Sequence, residues 1–179
     1  MMAIFKNLVL TLVSSALLVT PCFSAGLTLE SPAFASNAAI PQKFTCSNLN
    51  YSPPLIWHDP NLGTQSYVLY VLIVHDPDAP TGNWIHWVLF NIPVQVKQLT
   101  EGTTTPAGAT SGLNSWNTTG YSGPCPPAGT HRYYFTLYAL DTYLNLGPEA
   151  TAQDVVNAMK GDIIDTAELV GHYSKNASQ

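Results

Sequence analysis

Charge is scarce in this sequence, and positive charge scarcest. Of 179 residues only 9 % are Asp, Glu, Lys or Arg, and just six are Lys or Arg. Beyond residue 24, five cations (Lys43, Lys97, Arg132, Lys160 and Lys175) face 11 acidic residues, a net charge of −6. A chain with that balance lacks the basic surface that phosphate backbones require, so nucleic-acid binding is excluded on electrostatic grounds. No apolar run reaches the roughly 20 residues a spanning helix needs. The longest near the start, Leu8 to Val19, falls short of it. No internal repeat is present, and no compact metal-ligand motif such as HExxH occurs.

What is present begins with MMAIFKNLVLTLVSSALLVTPCFSA. Lys6, the apolar run and the small residues after it have the layout of a secretory signal peptide, with cleavage expected before Ala25. Residues 1–24 are therefore read as a signal and residues 25–179 as one domain, exported to the periplasm or secreted, with no stable membrane insertion after signal removal. Cys22 follows Val19-Thr20-Pro21, a faint lipoprotein-like pattern that Pro21 argues against. Two cysteines remain, Cys46 and Cys125. In an oxidising compartment a bridge between them would add about 4 kcal/mol through loop entropy; two free buried thiols are the alternative, and the sequence does not choose.

Abundant Tyr, Trp, Val and Pro with little charge predict a mainly β chain. Short β pieces, LTLES and IPQKFT, lie between residues 27 and 51, and SPPLIWHDP reads as a loop and a short strand. SYVLYVLIVH (66–75) is a near-continuous apolar run, the signature of a central strand buried on both faces. DPDAPTGN ends it, because prolines cannot continue a ladder. WIHWVLFNI (84–92) and HRYYFTLYALD (131–141) are the next long strands. The polar, glycine-rich stretch 101–120 between them predicts a functional or mobile loop. TAQDVVNAMKGD predicts a helix with Thr151 and Asp154 as a capping-box variant and Val155, Val156 and Met159 on one face, and AELVGHYS a short final strand. Strands first and one or two helices late imply a β-sandwich with peripheral C-terminal helices.

The polar chemistry sits at strand ends: Asp76 and Asp78 after the first long strand, His86 in the second, His131 and Arg132 at the start of the third. If these strands are antiparallel neighbours, alternation gathers Asp76, His86 and His131 at one end of a sheet. DPDAP (76–80), HWVLFNIP (86–93), GPCPPAGTHRYYFTLYALD (123–141) and AMKGDIIDTAELVGHYS (158–174) resemble, in order and spacing, the bacterial branch of the phosphatidylethanolamine-binding protein family, also called Raf-kinase-inhibitor-like proteins. The resemblance implies a large antiparallel sheet packed on a smaller one. It also implies a solvent-accessible pocket at the sheet end for phosphate-like anions or phospholipid headgroups such as phosphoethanolamine. Its ligand-binding set carries over to Asp76, Asp78, His86, Gly123, Pro124, Pro126, Pro127 and His131, with no cofactor and no resident metal. A cis peptide between Ala79 and Pro80, aiming both carboxylates inward, is a further expectation from the family.

In physical terms, the proline turn would stiffen the pocket wall, imidazole and loop N–H groups would face the anion, and Asp76 would orient the imidazoles or meet a ligand ammonium. Arg132, on the opposite strand face from His131, is read as an ion-pair partner of Asp78 or a plain surface cation. His58, His75 and His172 read as structural or surface. Trp57, Trp84, Trp87 and Trp116 read as packing residues, with Trp84 and Trp116 available to line a pocket mouth. Asn117-Thr118-Thr119 and Asn176-Ala177-Ser178 fit glycosylation sequons, relevant only to a eukaryotic secretory route. The leading function is a non-enzymatic binder of small anions that modulates a protein partner, as monomer or homodimer. The rivals are a metal-dependent hydrolase using the Asp/His cluster, a Cys125–His131 nucleophile, and a kinase- or protease-inhibitor-like protein. Several eukaryotic relatives carry an extra C-terminal helix beside the pocket, whereas this sequence ends soon after Tyr173, so a more open pocket is expected.

Overall fold

The computed structural model describes residues 26–60 and 69–175. The expected signal segment, the start of the SYVLYVLIVH run and the Asn176 sequon lie outside the described residues. Nine strands form two sheets among them. The smaller has the order β1-β3-β6, from β1 (Thr28–Glu30), β3 (Leu55–His58) and β6 (Gln98–Leu99). The larger has the order β2-β9-β8-β4-β5-β7. Its strands are β2 (Ala38–Ala39), β4 (Leu69–Asp76), β5 (Trp84–Pro93), β7 (Thr110–Ser111), β8 (Thr130–Leu140) and β9 (Ile163–Ser174).

The near-continuous apolar run becomes the centre of the large sheet because it must be covered on both faces. On one face Tyr70, Leu72 and Val74 pack with Trp87, Leu89, Phe135 and Leu137 against Leu29, Leu55 and Trp57 of the small sheet. On the other, Val71 and Ile73 join Val88, Phe90 and Leu140 under a single helix, α1 (Ala152–Ala158). That helix starts where the sequence predicts. The Thr151 hydroxyl accepts from the Asp154 amide, and the Asp154 carboxylate accepts from the Thr151 amide, satisfying two groups the first turn leaves without partners.

Two expectations change. Val155 and Met159, four residues apart, are buried, but Val156 is 40 % exposed, because one residue further along turns about 100° away around the helix. Among the described residues one α-helix is present, within the expected one or two, beside a single 3₁₀ turn at Gln42–Phe44. The last strand is longer than AELVGHYS, since β9 begins at Ile163 and pairs with β8 from Ile163↔Leu140 to Ser174↔Thr130. The polar Asp165, Thr166 and Glu168 mask its strand signal in the sequence, and pairing with β8 overrides them.

The 101–120 stretch has its own structure. Thr110–Ser111 extends the large sheet beyond β5, and the buried Asn114 anchors the turn after it. No helix among the described residues is long and apolar enough to cross a membrane.

Candidate anion-binding site

The C-terminal end of β4 meets the N-terminal ends of β5 and β8, because β4 pairs antiparallel with both. Asp76, His86 and His131 therefore arrive at one edge of the sheet. Simple alternation does not suffice for His86. In the β4–β5 ladder Val74 faces Trp87 while His75 faces Ile85, so His86 is the extra residue of a bulge. Bulges re-aim side chains, and this one lets His86 and the fully buried Trp87 both point between the sheets. The same end of β8 alternates cleanly: His131 and Tyr133 are buried and Arg132 faces out.

At the base of the site the Asp76 carboxylate, 3 % exposed, is held from two sides. His131 donates Nδ1–H to its Oδ2 at 2.7 Å, and the Asp78 amide donates to its Oδ1 at 2.8 Å. His86 points its Nδ1–H at the Ser122 carbonyl. Because carbonyl and carboxylate only accept, both rings carry their proton on Nδ1, and Nε2 is the nitrogen left for a ligand. Burial pushes the His86 pKa below its usual value, against the opposing pull of the Ser122 carbonyl and the Asp76 charge.

Tyr133, two residues after His131 on the same face, packs edge-on against His86 at 5.2 Å between ring centres. Its hydroxyl is buried beside the Asp76 carboxylate and the Cys125 backbone, without a hydrogen bond of full geometry to either. Burial first, and then the Asp76 charge, push its pKa far up, so it stays a neutral donor. Tyr133 is not among the residues the sequence singles out. Its signal was the i, i+2 spacing from His131 in HRYYF.

A cavity of about 320 Å³ opens above this base. Asp76, His86, His131, Pro126 and Pro127 line it, with Trp84 and Trp116 at its walls. Gly123 and Pro124 are buried behind that wall and act on it indirectly. The Gly123 amide donates to Asn50 Oδ1 at 2.7 Å, the Pro124 carbonyl accepts from the Cys46 amide at 3.1 Å, and Tyr121 donates to the Phe44 carbonyl at 2.8 Å. A side chain at Gly123 would land on the Phe44 carbonyl and the Thr45 backbone, which is why glycine stands there. The loop supplies stiffness, while its Gly123 N–H is already committed and its prolines have none.

The disulfide question is answered by the structure. Cys46 and Cys125 are bonded, with Cα atoms 5.4 Å apart, and the bridge ties the cavity loop to the segment around the 3₁₀ turn.

Asp78 is not brought to the cavity. Its carboxylate takes the Arg132 backbone N–H and Nε–H at Oδ2, both at 2.9 Å, and an Arg132 terminal N–H at Oδ1 at 2.6 Å. This fork holds the Asp78 carboxyl well below the usual carboxylate range. The expected cis Ala79–Pro80 bond is absent, for every described peptide bond is trans. The reversal is made instead by a turn in which the Gly82 amide donates to the Ala79 carbonyl at 2.9 Å, with Gly82 at φ +96°, so only one of the two carboxylates points inward. Among the described residues no group of three or more His, Cys, Asp or Glu side chains is placed to hold a metal ion.

Comparison with known proteins agrees with this architecture. The chain is 44 % identical over 153 residues to a UPF0098 protein of Methanothermobacter thermautotrophicus, covering 83 % of this chain and 99 % of that one. A phosphatidylethanolamine-binding protein homologue from Chlamydia trachomatis superposes with a TM-score of 0.79 at 42 % identity, over 86 % of this chain and all of that one. Escherichia coli YbcL, described as a member of the mammalian PEBP family, gives 0.78 at 28 % identity over 85 % of this chain and all of YbcL. The family model described as phosphatidylethanolamine-binding protein matches residues 30–174, from the first strand to the last, and the chain belongs to that family.

Proposed function

We propose that the protein is a non-enzymatic binding protein whose ligand is a small oxyanion, a phosphate ester or a headgroup of that chemistry, seated on His86 and His131. The carrying observation is the pair of imidazoles with Nδ1 fixed by Ser122 and Asp76, at the base of a cavity walled by a disulfide-tied proline loop. Ring nitrogens fixed in place bind an oxyanion without the ordering cost that flexible lysines incur. Each Nε2 is a lone pair when its ring is neutral and a donor when it is charged. An oxyanion therefore brings its own proton, as a monoprotonated phosphate does, or binds with proton uptake by the rings.

The metal-dependent hydrolase alternative receives no support from the geometry, since among the described residues no three His, Cys, Asp or Glu side chains converge as ligands. Export fits the disulfide, a bond that persists in oxidising compartments, together with the signal-like N-terminal sequence.

The test is a titration of the histidine ring resonances with inorganic phosphate at several pH values. Saturable shifts of two rings, identified by His86→Ala and His131→Ala, are the expected result. Unresponsive rings would reduce the cluster to a structural network.

A further inference from the structure

The walls of the cavity do not match its base. Above the imidazoles the lining is mostly apolar, from Ala79, Pro80, Trp84, Trp116, Pro126 and Pro127, with Thr81 adding a hydroxyl, and no Lys or Arg reaches it. Inorganic phosphate would use the base and leave these walls without a role.

Trp116 is the most informative of them. It is 43 % exposed, and among the large exposed apolar side chains (Leu49, Tyr51, Tyr143, Val156 and Ile163 are the others) it alone lines this cavity. Its ring meets Trp84 edge-to-face at 5.3 Å and His86 at 5.2 Å, so it stands directly over the anion base. An exposed indole on a loose loop would be unremarked surface. This one is mounted rigidly: Asn114, 4 % exposed, accepts at Oδ1 from the Trp116 amide (2.9 Å) and from the Thr118 amide and hydroxyl (3.3 and 3.1 Å). The Asn114 Nδ2 group donates to the Gly120 carbonyl and to Ser122 Oγ, both at 3.2 Å, which ties the mount to the residue whose carbonyl fixes His86. Ser115 pins the turn to β5 one residue before His86, donating its amide to the Ile85 carbonyl and accepting the Ile85 amide at Oγ. A rigidly held, partly exposed apolar ring next to a polar base is placed for a ligand to cover it.

The charges at the mouth sharpen the chemistry. Each Asp76 oxygen already accepts one hydrogen bond, from His131 or from the Asp78 amide, and both Asp78 oxygens accept from Arg132 outside the cavity. A ligand ammonium therefore meets one carboxylate of the DPD turn, that of Asp76, already engaged by two donors.

We infer that Trp116, with Trp84, is the specificity-determining wall of the site, and that the ligand is an oxyanion ester of an apolar, ring-bearing alcohol. Inorganic phosphate and a zwitterionic headgroup such as phosphoethanolamine are the weaker ligands. The inference rests on the anion-site reading above. In the bound arrangement the oxyanion sits on the two Nε2 atoms, and the substituent lies between the indole rings and the prolines.

The experiment uses the same histidine titration with three probes: phenyl phosphate, inorganic phosphate and phosphoethanolamine. The wild-type protein is expected to bind phenyl phosphate about tenfold more tightly than the other two, the scale of one well-packed aromatic contact with its buried area. Trp116→Ala should collapse that ratio towards one and Trp116→Phe should keep most of it. Tyr143→Ala, at an exposed ring away from the cavity, should leave the ratio at its wild-type value. Equal wild-type affinities, or an unchanged ratio in Trp116→Ala, overturn the aromatic wall while the anion site stands. Preference for phosphoethanolamine overturns the choice of ligand class. If no probe moves a histidine, the anion site itself fails and the wall with it.

Discussion

Replacing Asp76 probes the site and the fold together. Asp76→Ala removes a carboxylate that is 3 % exposed and leaves two donors without acceptors: the Nδ1–H of His131, itself 7 % exposed, and the Asp78 amide. Each orphaned buried group costs about 1–3 kcal/mol. Recovery of the carboxylate's own desolvation offsets part of the sum, so a net loss of about 2–4 kcal/mol is expected. For a domain of this size that lowers Tm by about 5–15 °C. Asp76→Asn behaves differently, because the amide oxygen still accepts from the Asp78 N–H while its NH₂ donates to His131 Nδ1. That exchange forces the proton of His131 onto Nε2, at a cost of about 1 kcal/mol. Urea unfolding at pH 7 measures both losses, and ¹⁵N spectra of the ring report the tautomer. Should Ala and Asn cost the same, or Ala less than about 1 kcal/mol, the buried Asp76–His131 bond does not organise the site as argued.

Removing the disulfide by Cys46→Ala with Cys125→Ala should cost about 4 kcal/mol for a loop of 79 residues, measured as the shift in urea midpoint between the variant and the oxidised parent. Gly123→Ala should destabilise by about 1–3 kcal/mol through overlap with the Phe44 carbonyl and weaken phosphate binding by displacing the cavity wall, read in the same titrations. The His86 pKa is lowered by burial, so its contribution to stability is complete above the ordinary histidine value near 6.5 and is lost as pH falls from there through the folded-state value. His86→Gln should flatten that part of the stability profile. Affinity for sulfate, whose charge is constant in this range, should by contrast rise as pH falls, because the anion favours the protonated rings; affinity flat with pH would refute proton-linked binding.

The long strands, the capped helix, the one-domain β architecture and the polar ends were legible in the sequence for local reasons. A run such as LYVLIVHD can satisfy its apolar side chains only at the centre of a sheet, and Thr151 with Asp154 caps a helix with no outside help. Asp76, His86 and His131 were legible as candidates because they stand at the ends of such runs. Asp78 is indistinguishable from Asp76 in the sequence, because spacing alone does not say which of two carboxylates turns inward.

What the sequence determined by itself, then, is which segments form the long strands and which residues are available at their ends, since both follow from short-range pattern and chain chemistry. Only the tertiary structure decided how those residues are spent. The bulge that swings His86 inward, the outward capture of Asp78 by Arg132, the Cys46–Cys125 bond and the seating of Trp116 over His86 join parts of the chain that are not local in sequence. Each depends on a partner's position in space, and one residue of register or one turn of a side chain would reverse it.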